Sequence, residues 1–295
     1  MESRAAVAAE LTRLTGTSFG PEPEGRVGGG SINRCYRWPS ASGPVFVKVA
    51  AGAAAAMLEA EAAGLAELAR ARAVRVPRVL ACGTAGTSAF VALEWLESGA
   101  ATEASAARLG AQLAAQHAVS APHHGWWRDN TIGSTPQANG TAASWPEFFR
   151  ERRLRPQLEL AVSRGFGALL EAPGERLLEG VEALLGTHRP PPALLHGDLW
   201  GGNWLSTPDG EPVIFDPAVY YGDRETDIAM TGLFGGFGPR FYQAYAALAP
   251  LPPGAELRRE LYNLYHLLNH ANLFGGGYAA SARRVIERLL AELRS

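Results

Sequence analysis

The chain has 295 residues, a formal charge of −2 and a pI near 6.4, so it carries no electrostatic footprint for nucleic acid. Its length exceeds what one small core needs and points to two lobes. No run approaches the ~20 apolar residues of a membrane span, and the first residues lack a signal-peptide pattern. Cys35 and Cys82, the only cysteines, form neither a disulfide framework nor a metal spacing, which fits a reduced, cytoplasmic protein.

Residues 1–19 read as a helix that ends near Thr15 and Gly16, with a linker at 21–25. Segment 26–38 then places Gly28, Gly29, Gly30 and Ser31 in a turn between two expected strands. Glycines let backbone N–H groups approach phosphate oxygens, but a plain hairpin turn reads equally well from these residues alone. The next strand, 44–49, contains Lys48, the only lysine in the chain; every other basic residue is arginine. A compact ammonium fits beside phosphates where a planar guanidinium would clash. Residues 53–72 read as a helix rich in Ala, Leu and Glu. Glu61, ahead of Leu65 and Leu68, suits an inward-facing acid that pairs with Lys48, and a solvated helix face is the other reading. Strands are expected at 76–80 and 89–95, the second running into Glu94, Trp95 and Leu96, where a connector to a second lobe would sit.

A helix over 104–120 carries His117, read as a packed side chain and not a ligand. Segment 123–139 has too many turn formers for a helix and reads as a hairpin or a substrate-side loop. Further helices are expected over 145–163 and 175–185, the latter stopped by Gly186 and the triple proline at 190–192.

The chemistry concentrates in 194–218, LLHGDLWGGNWLSTPDGEPVIFDPA, which reads as strand, polar loop, short strand, turn, strand. Of six aspartates in the chain, five fall between 198 and 227. Asp209, in Pro-Asp-Gly, is a turn residue, which leaves Asp198 and Asp216 as the chemical pair. Phosphoryl transfer from a nucleotide needs a carboxylate at the attacking hydroxyl and oxygen ligands on Mg²⁺. An H-x-D-x-x-x-x-N loop followed by an apolar strand ending in Asp supplies Asp198, Asn203 and Asp216 in that order. A lone HGD reads equally as a turn; the full set argues for chemistry. Asp227 is expected to brace that loop or cap the next helix rather than react. A Gly/Phe turn at 233–238 and a helix at 241–248 follow. An amphipathic helix over 257–274 then carries Asn269 and His270, stops at the glycines 275–277, and gives way to a closing helix at 280–294.

The stretches LLHGDLWGGN, PVIFDPAVYYGDRETDIAMTGLFGGFGPRFYQAY and LYHLLNHANLFGGGY resemble the fructosamine kinase (ketosamine-3-kinase) family. VGGGSIN, PVFVKV, EAEAAGL and NTIGSTPQ extend the likeness over nearly the whole chain. The HGD…N…D core alone implies only the wider protein-kinase-like superfamily, with aminoglycoside phosphotransferases and choline kinases. The Trp after HGDL and the LNH-x-N-x-FGGGY ending are more specific.

The resemblance implies an α+β, two-lobed protein-kinase-like fold, with a small β-rich nucleotide-binding lobe over 1–97 and a larger, mainly helical catalytic and acceptor lobe over 98–295. It implies phosphorylation of the 3-hydroxyl of ketosamines, free or protein-bound, with ATP and Mg²⁺. By position, Asp198 is then the base, Asn203 and Asp216 hold Mg²⁺, and Gly28, Gly29, Gly30, Ser31 and Lys48 meet the phosphates. Glu61 pairs with Lys48, while Glu94, Trp95 and Leu96 surround adenine. Trp200, Asn269 and His270 shape the acceptor site; from the residues alone, Trp200 reads either as a stacking surface or as a core side chain under the loop. Pro217 and Ala218 stand where protein kinases have Phe-Gly, which argues against a protein kinase. Some family members carry Cys in the Gly-rich loop, where this chain has Ser31. Two other readings stay open. One is a kinase for another hydroxylated amine such as an aminoglycoside, whose site would be strongly acidic. The other is a non-catalytic kinase-like binding protein, disfavoured because every catalytic position is filled.

Overall fold

The strands around Lys48 are apolar and alternate in facing, as a sheet covered on both sides requires. The computed structural model describes residues 4–28, 34–51 and 54–294. Its main sheet has five antiparallel strands in the order β1-β2-β3-β5-β4. These are β1 (Gly25–Arg26), β2 (Arg34–Ser40), β3 (Gly43–Ala51), β4 (Val79–Ala85) and β5 (Ser88–Glu94). On one face α1 (Arg4–Thr15) buries Val7, Ala8 and Leu11 against Tyr36, Trp38, Val45, Val47, Val49 and Phe90. On the other, α2 (Ala55–Ala71) buries Leu58, Leu65 and Leu68 in the same core as Val91 and Leu93. Side chains alternate along a strand, so Lys48, between Val47 and Val49, points to the α2 side.

The strand expected at 76–80 lies later, at Val79–Ala85. Pro77 has no N–H to give a ladder, and the residues before it are used elsewhere. Arg75 forms a parallel bridge with Val213, its carbonyl accepting from the Ile214 N–H at 3.0 Å. This links the sheet to the rest of the chain.

The remaining described residues are mainly helical. Thr102 and Ser105 form a capping box that starts α3 (Glu103–His117). The turn-rich segment at 123–139 contains a hairpin, β6 (Asn130–Ile132) with β7 (Thr135–Gln137). The helix expected over 145–163 is interrupted. It runs as α4 (Trp145–Phe148), a π-helical stretch at Phe149–Leu154, α5 (Arg155–Ala161) and a second π-helical stretch at Val162–Phe166, kinked at Gly165.

The helix expected at 175–185 begins earlier, as α6 (Gly167–Leu185), and runs through Pro173. A proline in a helix leaves the carbonyl four residues back unpaired. Here that carbonyl, Leu169 O, accepts from Arg283 Nη1 at 2.8 Å, which makes the proline tolerable.

Next come two short antiparallel pairs, β8 (Ala193–Leu195) with β11 (Tyr220–Gly222) and β9 (Trp204–Ser206) with β10 (Pro212–Ile214). The helices α7 (Glu225–Leu233), α8 (Pro239–Leu248), α9 (Ala255–Phe274) and α10 (Gly277–Glu292) complete the order. They enclose one core with Leu109, Leu113, Phe241, Leu261, Leu264, Leu268, Ile286 and Leu289. Among the described residues, no helix is long and apolar enough to cross a membrane.

The α3–α8 contact depends on Gly110, where a β-carbon would lie 2.2 Å from the Phe241 carbonyl oxygen. Gly110→Ala therefore forces the two helices apart and should destabilise the fold by about 1–3 kcal/mol despite the better helix propensity of alanine. Calorimetry should record a melting midpoint several degrees lower; an unchanged or raised midpoint would mean that the helices separate without cost.

Candidate active site

The loop after β8 is held by hydrogen bonds to its backbone. His196 and Gly197 donate their N–H groups to the Asp227 carboxylate at 2.7 and 2.9 Å. The His196 ring bonds through Nε2 to the Phe215 carbonyl at 2.9 Å, which fixes the proton there and leaves Nδ1 to accept from the Asp198 N–H at 3.3 Å. Burial holds this imidazole below its ordinary pKa, consistent with a neutral ring. Gly197 has φ +82°, and a β-carbon there would sit 2.1 Å from the Ala218 carbonyl oxygen, so only glycine fits. Asp227 thus braces the loop, as expected.

Asn203 is the second fixture. Its amide nitrogen donates to the Asp198 carbonyl at 2.8 Å and lies 3.4 Å from the Asp198 carboxylate. Burial, reinforced by Asp216 and Asp227 and only partly opposed by the Asn203 hydrogen bond, pushes the Asp198 carboxyl up to about 7. Such a group can accept a proton near neutral pH.

Asp216, just past β10, adopts a left-handed backbone conformation with φ +55°, uncommon outside glycine though tolerated by Asp. The conformation puts its carboxylate against Lys48, Nζ to Oδ1 2.5 Å. The same Nζ lies 2.8 Å from Glu61 on α2. Burial opposes the charge on Lys48, but Glu61 and Asp216 outweigh it and hold the ammonium protonated. The expected Lys48–Glu61 pair is therefore formed, and Asp216 joins it.

The donor set fits a hard divalent cation. With its nitrogen engaged by Asp198, Asn203 keeps its amide oxygen, and Asp216 keeps its second carboxylate oxygen; both are the oxygen ligands that Mg²⁺ takes. A second cluster, His188, Asp223 and Glu225, also gathers metal-type ligands. It is closed internally, with Tyr262 and His188 on Asp223 at 2.6 and 2.7 Å and Arg258 bidentate on Glu225.

Other expected site residues fall in several places. Gly28 is exposed, while Gly29, Gly30 and Ser31 lie outside the described residues. At the end of β5, Glu94 accepts from the Arg78 N–H at 3.1 Å, and Trp95 donates to Glu97 at 2.7 Å beneath the Arg37 guanidinium. Leu96 is half-buried.

Trp200 is 40% exposed, so it is not a core tryptophan; a β-carbon on Gly202 would meet its ring. Gly201 packs on Gly235 and Gly236. Beside these, His270 is ringed by Phe234, Tyr278 and Phe274, with centroids at 4.5, 5.2 and 5.5 Å. Phe234 and Phe274 are themselves exposed. Burial holds His270 below its ordinary pKa, and its Nδ1 bonds to the His266 carbonyl. Asn269, one residue earlier, is turned inward: it is 2% exposed and accepts from Gln157 on α5. Neighbouring helix positions point about 100° apart, so an adjacent pair does not share a face. His117, which the sequence marks only as a packed side chain, is part of this framework. Its ring bonds both Asp227 and Tyr245 and so supports the brace.

The family model for fructosamine kinase matches residues 3–292. The chain belongs to the fructosamine kinase family. A Synechocystis protein assigned as a ketoamine kinase is 44% identical over 96% of each chain. The chloroplastic protein-ribulosamine 3-kinase of Oryza sativa subsp. indica is 42% identical over 97% of this chain and 82% of its own. The crystal structure of a Haemophilus somnus protein assigned as a fructosamine-3-kinase superposes with a TM-score of 0.89 at 29% identity, covering 96% of both chains. A more distant likeness, to an aminoglycoside phosphotransferase solved with AMP-PNP and hygromycin B, has a TM-score of 0.62 at 15% identity and speaks for the fold alone. The fold is thus the two-lobed, α+β, protein-kinase-like one, and this member of the family is a phosphotransferase.

Lys48→Arg preserves charge but not shape in a pocket where the side chain is only 7% exposed. It should lower kcat/KM by about 10²-fold or more while far-UV circular dichroism stays unchanged. Wild-type kinetics for ATP would make Lys48 a bystander.

Proposed function

We propose that the protein phosphorylates the 3-hydroxyl of a ketosamine, using ATP. Residues 1–97 would form the nucleotide-binding lobe and 98–295 the catalytic and acceptor lobe. The observation that carries this reading is the convergence of Lys48, Glu61 and Asp216 beside a loop that fixes Asp198 and Asn203. In phosphoryl transfer the protein's work is positioning and charge neutralisation. Lys48 meets the phosphates, held in place by Glu61. Asp198 takes the proton of the attacking sugar hydroxyl, and Asn203 keeps its carboxylate oriented. Asn203 and Asp216 are the residues that would hold Mg²⁺, which when bound neutralises phosphate charge.

The acceptor reading rests on Trp200 and His270. An exposed indole two residues past Asp198, with the aromatic ring of residues around His270 beyond it, suits a sugar face and a protonated secondary amine. An aminoglycoside carries several ammonium groups and needs several carboxylates. The side chains around His270 are instead aromatic and neutral, which favours the ketosamine. Named relatives that act on ribulosamine agree with this choice.

An ATP-consumption screen over ribulosamine, fructosamine and aminoglycoside acceptors tests the assignment. Turnover confined to aminoglycosides would overturn it. Asp198→Asn should leave Mg·ATP affinity intact and cut the single-turnover rate by ~10²–10⁴. A near-normal rate would place the base elsewhere. Trp200→Ala should raise KM for the ketosamine about tenfold, the loss of one stacking contact to a cation, and leave KM for ATP unchanged. Equal changes in both constants would remove Trp200 from the acceptor site.

A further inference from the structure

The segment Asn130–Gln137, prominent in the sequence, makes no hydrogen bond to the Asp198 or Asp216 side chain, yet Asn130, Thr135 and Gln137 in it are buried. Asn130 and Gln137 face each other across the β6–β7 hairpin and are 8% and 2% exposed. Asn130 Nδ2 donates to the Val219 carbonyl at 2.8 Å, and Gln137 Nε2 donates to the Ala218 carbonyl at 3.1 Å. Two successive carbonyls are therefore gripped, two and three residues past Asp216. The same short segment pairs with the catalytic loop: the Ala218 N–H donates to the His196 carbonyl at 2.8 Å, and the Ala218 oxygen packs on Gly197.

Each amide is itself held by a donor, Gln137 directly from a helix and Asn130 through Asn139. Tyr265 of α9 donates to Gln137 Oε1 at 2.7 Å. Arg153 donates to Asn139 Oδ1 at 2.6 Å, and Asn139 Nδ2 donates to Asn130 Oδ1 at 2.7 Å. The bonds thus run from Arg153 through Asn139 and Asn130 to Val219, and from Tyr265 through Gln137 to Ala218, and the two paths are joined because Gln137 Nε2 also donates to Asn130 Oδ1 at 2.8 Å. Arg153 is fully buried, with its guanidinium 3.9 Å above the Tyr220 ring. Among the described residues, no carboxylate lies within ion-pairing distance of it. A buried cation without a counter-ion is costly unless dipoles take up its charge. Here the Ala138 and Arg152 carbonyls and the Asn139 amide do so, and through Asn139 the charge polarises the chain of bonds that ends on the Val219 carbonyl.

We propose that Asn130 and Gln137 are positioning residues for phosphoryl transfer: the hairpin fixes the segment before β11 that sets the Asp198 loop relative to Asp216. The proposal rests on the kinase reading above. Neither amide touches the reacting groups; both act through the backbone of Ala218 and Val219.

The test compares Gln137→Leu with Ile132→Ala, a cavity-forming change at a buried position of the same hairpin that leaves both amides in place. Gln137→Leu should lower kcat by about 10–100-fold, the effect of a small misplacement of reacting groups, with the Mg·ATP dissociation constant unchanged. Ile132→Ala should lower the melting temperature and leave kcat near wild type. If both variants lower kcat in proportion to lost stability, the amides are merely structural and the proposal fails. Tyr265→Phe is the milder second variant. Its effect on kcat should vanish in the Gln137→Leu background, whereas additive effects would overturn the relay. Hydrogen exchange gives a readout independent of activity: the Ala218 amide should exchange faster in Gln137→Leu but not in Ile132→Ala. An unchanged Ala218 amide also overturns the proposal. A wild-type enzyme that ignores ketosamines would sink the ketosamine reading while leaving the exchange result to decide the relay.

Discussion

One ammonium joins the three parts of the candidate site. Lys48 comes from the sheet, Glu61 from the helix laid across it, and Asp216 from the loop after β10, and a single Nζ lies within ion-pairing distance of both acids. Lys48 and Glu61 are a buried pair, and removing either leaves the other's charge stranded at a cost of about 3–5 kcal/mol, whereas Asp216, 40% exposed, is partly solvated. Evolution of a core would replace such a triad with apolar packing, so its presence argues for a task that needs the charge. The geometry also couples the position of α2 to that of Asp216. The same helix is held a second time by close packing of Gly64 on Pro217 and Val219, and a third time by the Tyr221 hydroxyl on Glu67.

Around the triad the structure spends buried polar groups freely, and nearly all of those in the site have partners. Asp227 takes two backbone N–H groups and the His117 ring, and burial, which works against its charge, is outweighed by these bonds, so it stays ionised. His196 spends one nitrogen on a carbonyl and the other on an amide. A satisfied network in a poorly solvated interior is rigid. Rigidity is what a reaction dependent on placement requires, because there is little covalent chemistry for the protein to contribute.

The surface proposed for the acceptor is built differently. Phe234 and Phe274 are exposed aromatic rings around a half-buried histidine, and Trp200 is a third exposed ring, on the loop whose Gly201 packs on Gly235 and Gly236. Large apolar groups left in water mark surfaces that meet something else. Membership of the fructosamine kinase family and the neutral, aromatic character of this surface point to one acceptor class.

The sequence by itself determined the fold class and singled out the candidate chemical residues. Lys48 stood out as the only lysine, Asp198, Asn203 and Asp216 by spacing, and the family by long unbroken stretches of likeness. These are local or compositional signals, and they survive without coordinates. The helix limits around Pro173 were not legible, because a distant arginine supplies the partner that the proline removes. The strand near Pro77 shifted because Arg75 pairs with a strand almost 140 positions later. Asn269 and His270 looked alike in the sequence and were separated only by the rotation of a helix. The role of Asn130 and Gln137 was likewise hidden: an amide in a hairpin is ordinary until the chain has folded two particular carbonyls beneath it. Long-range pairing decides which polar groups are satisfied, and no local pattern encodes that.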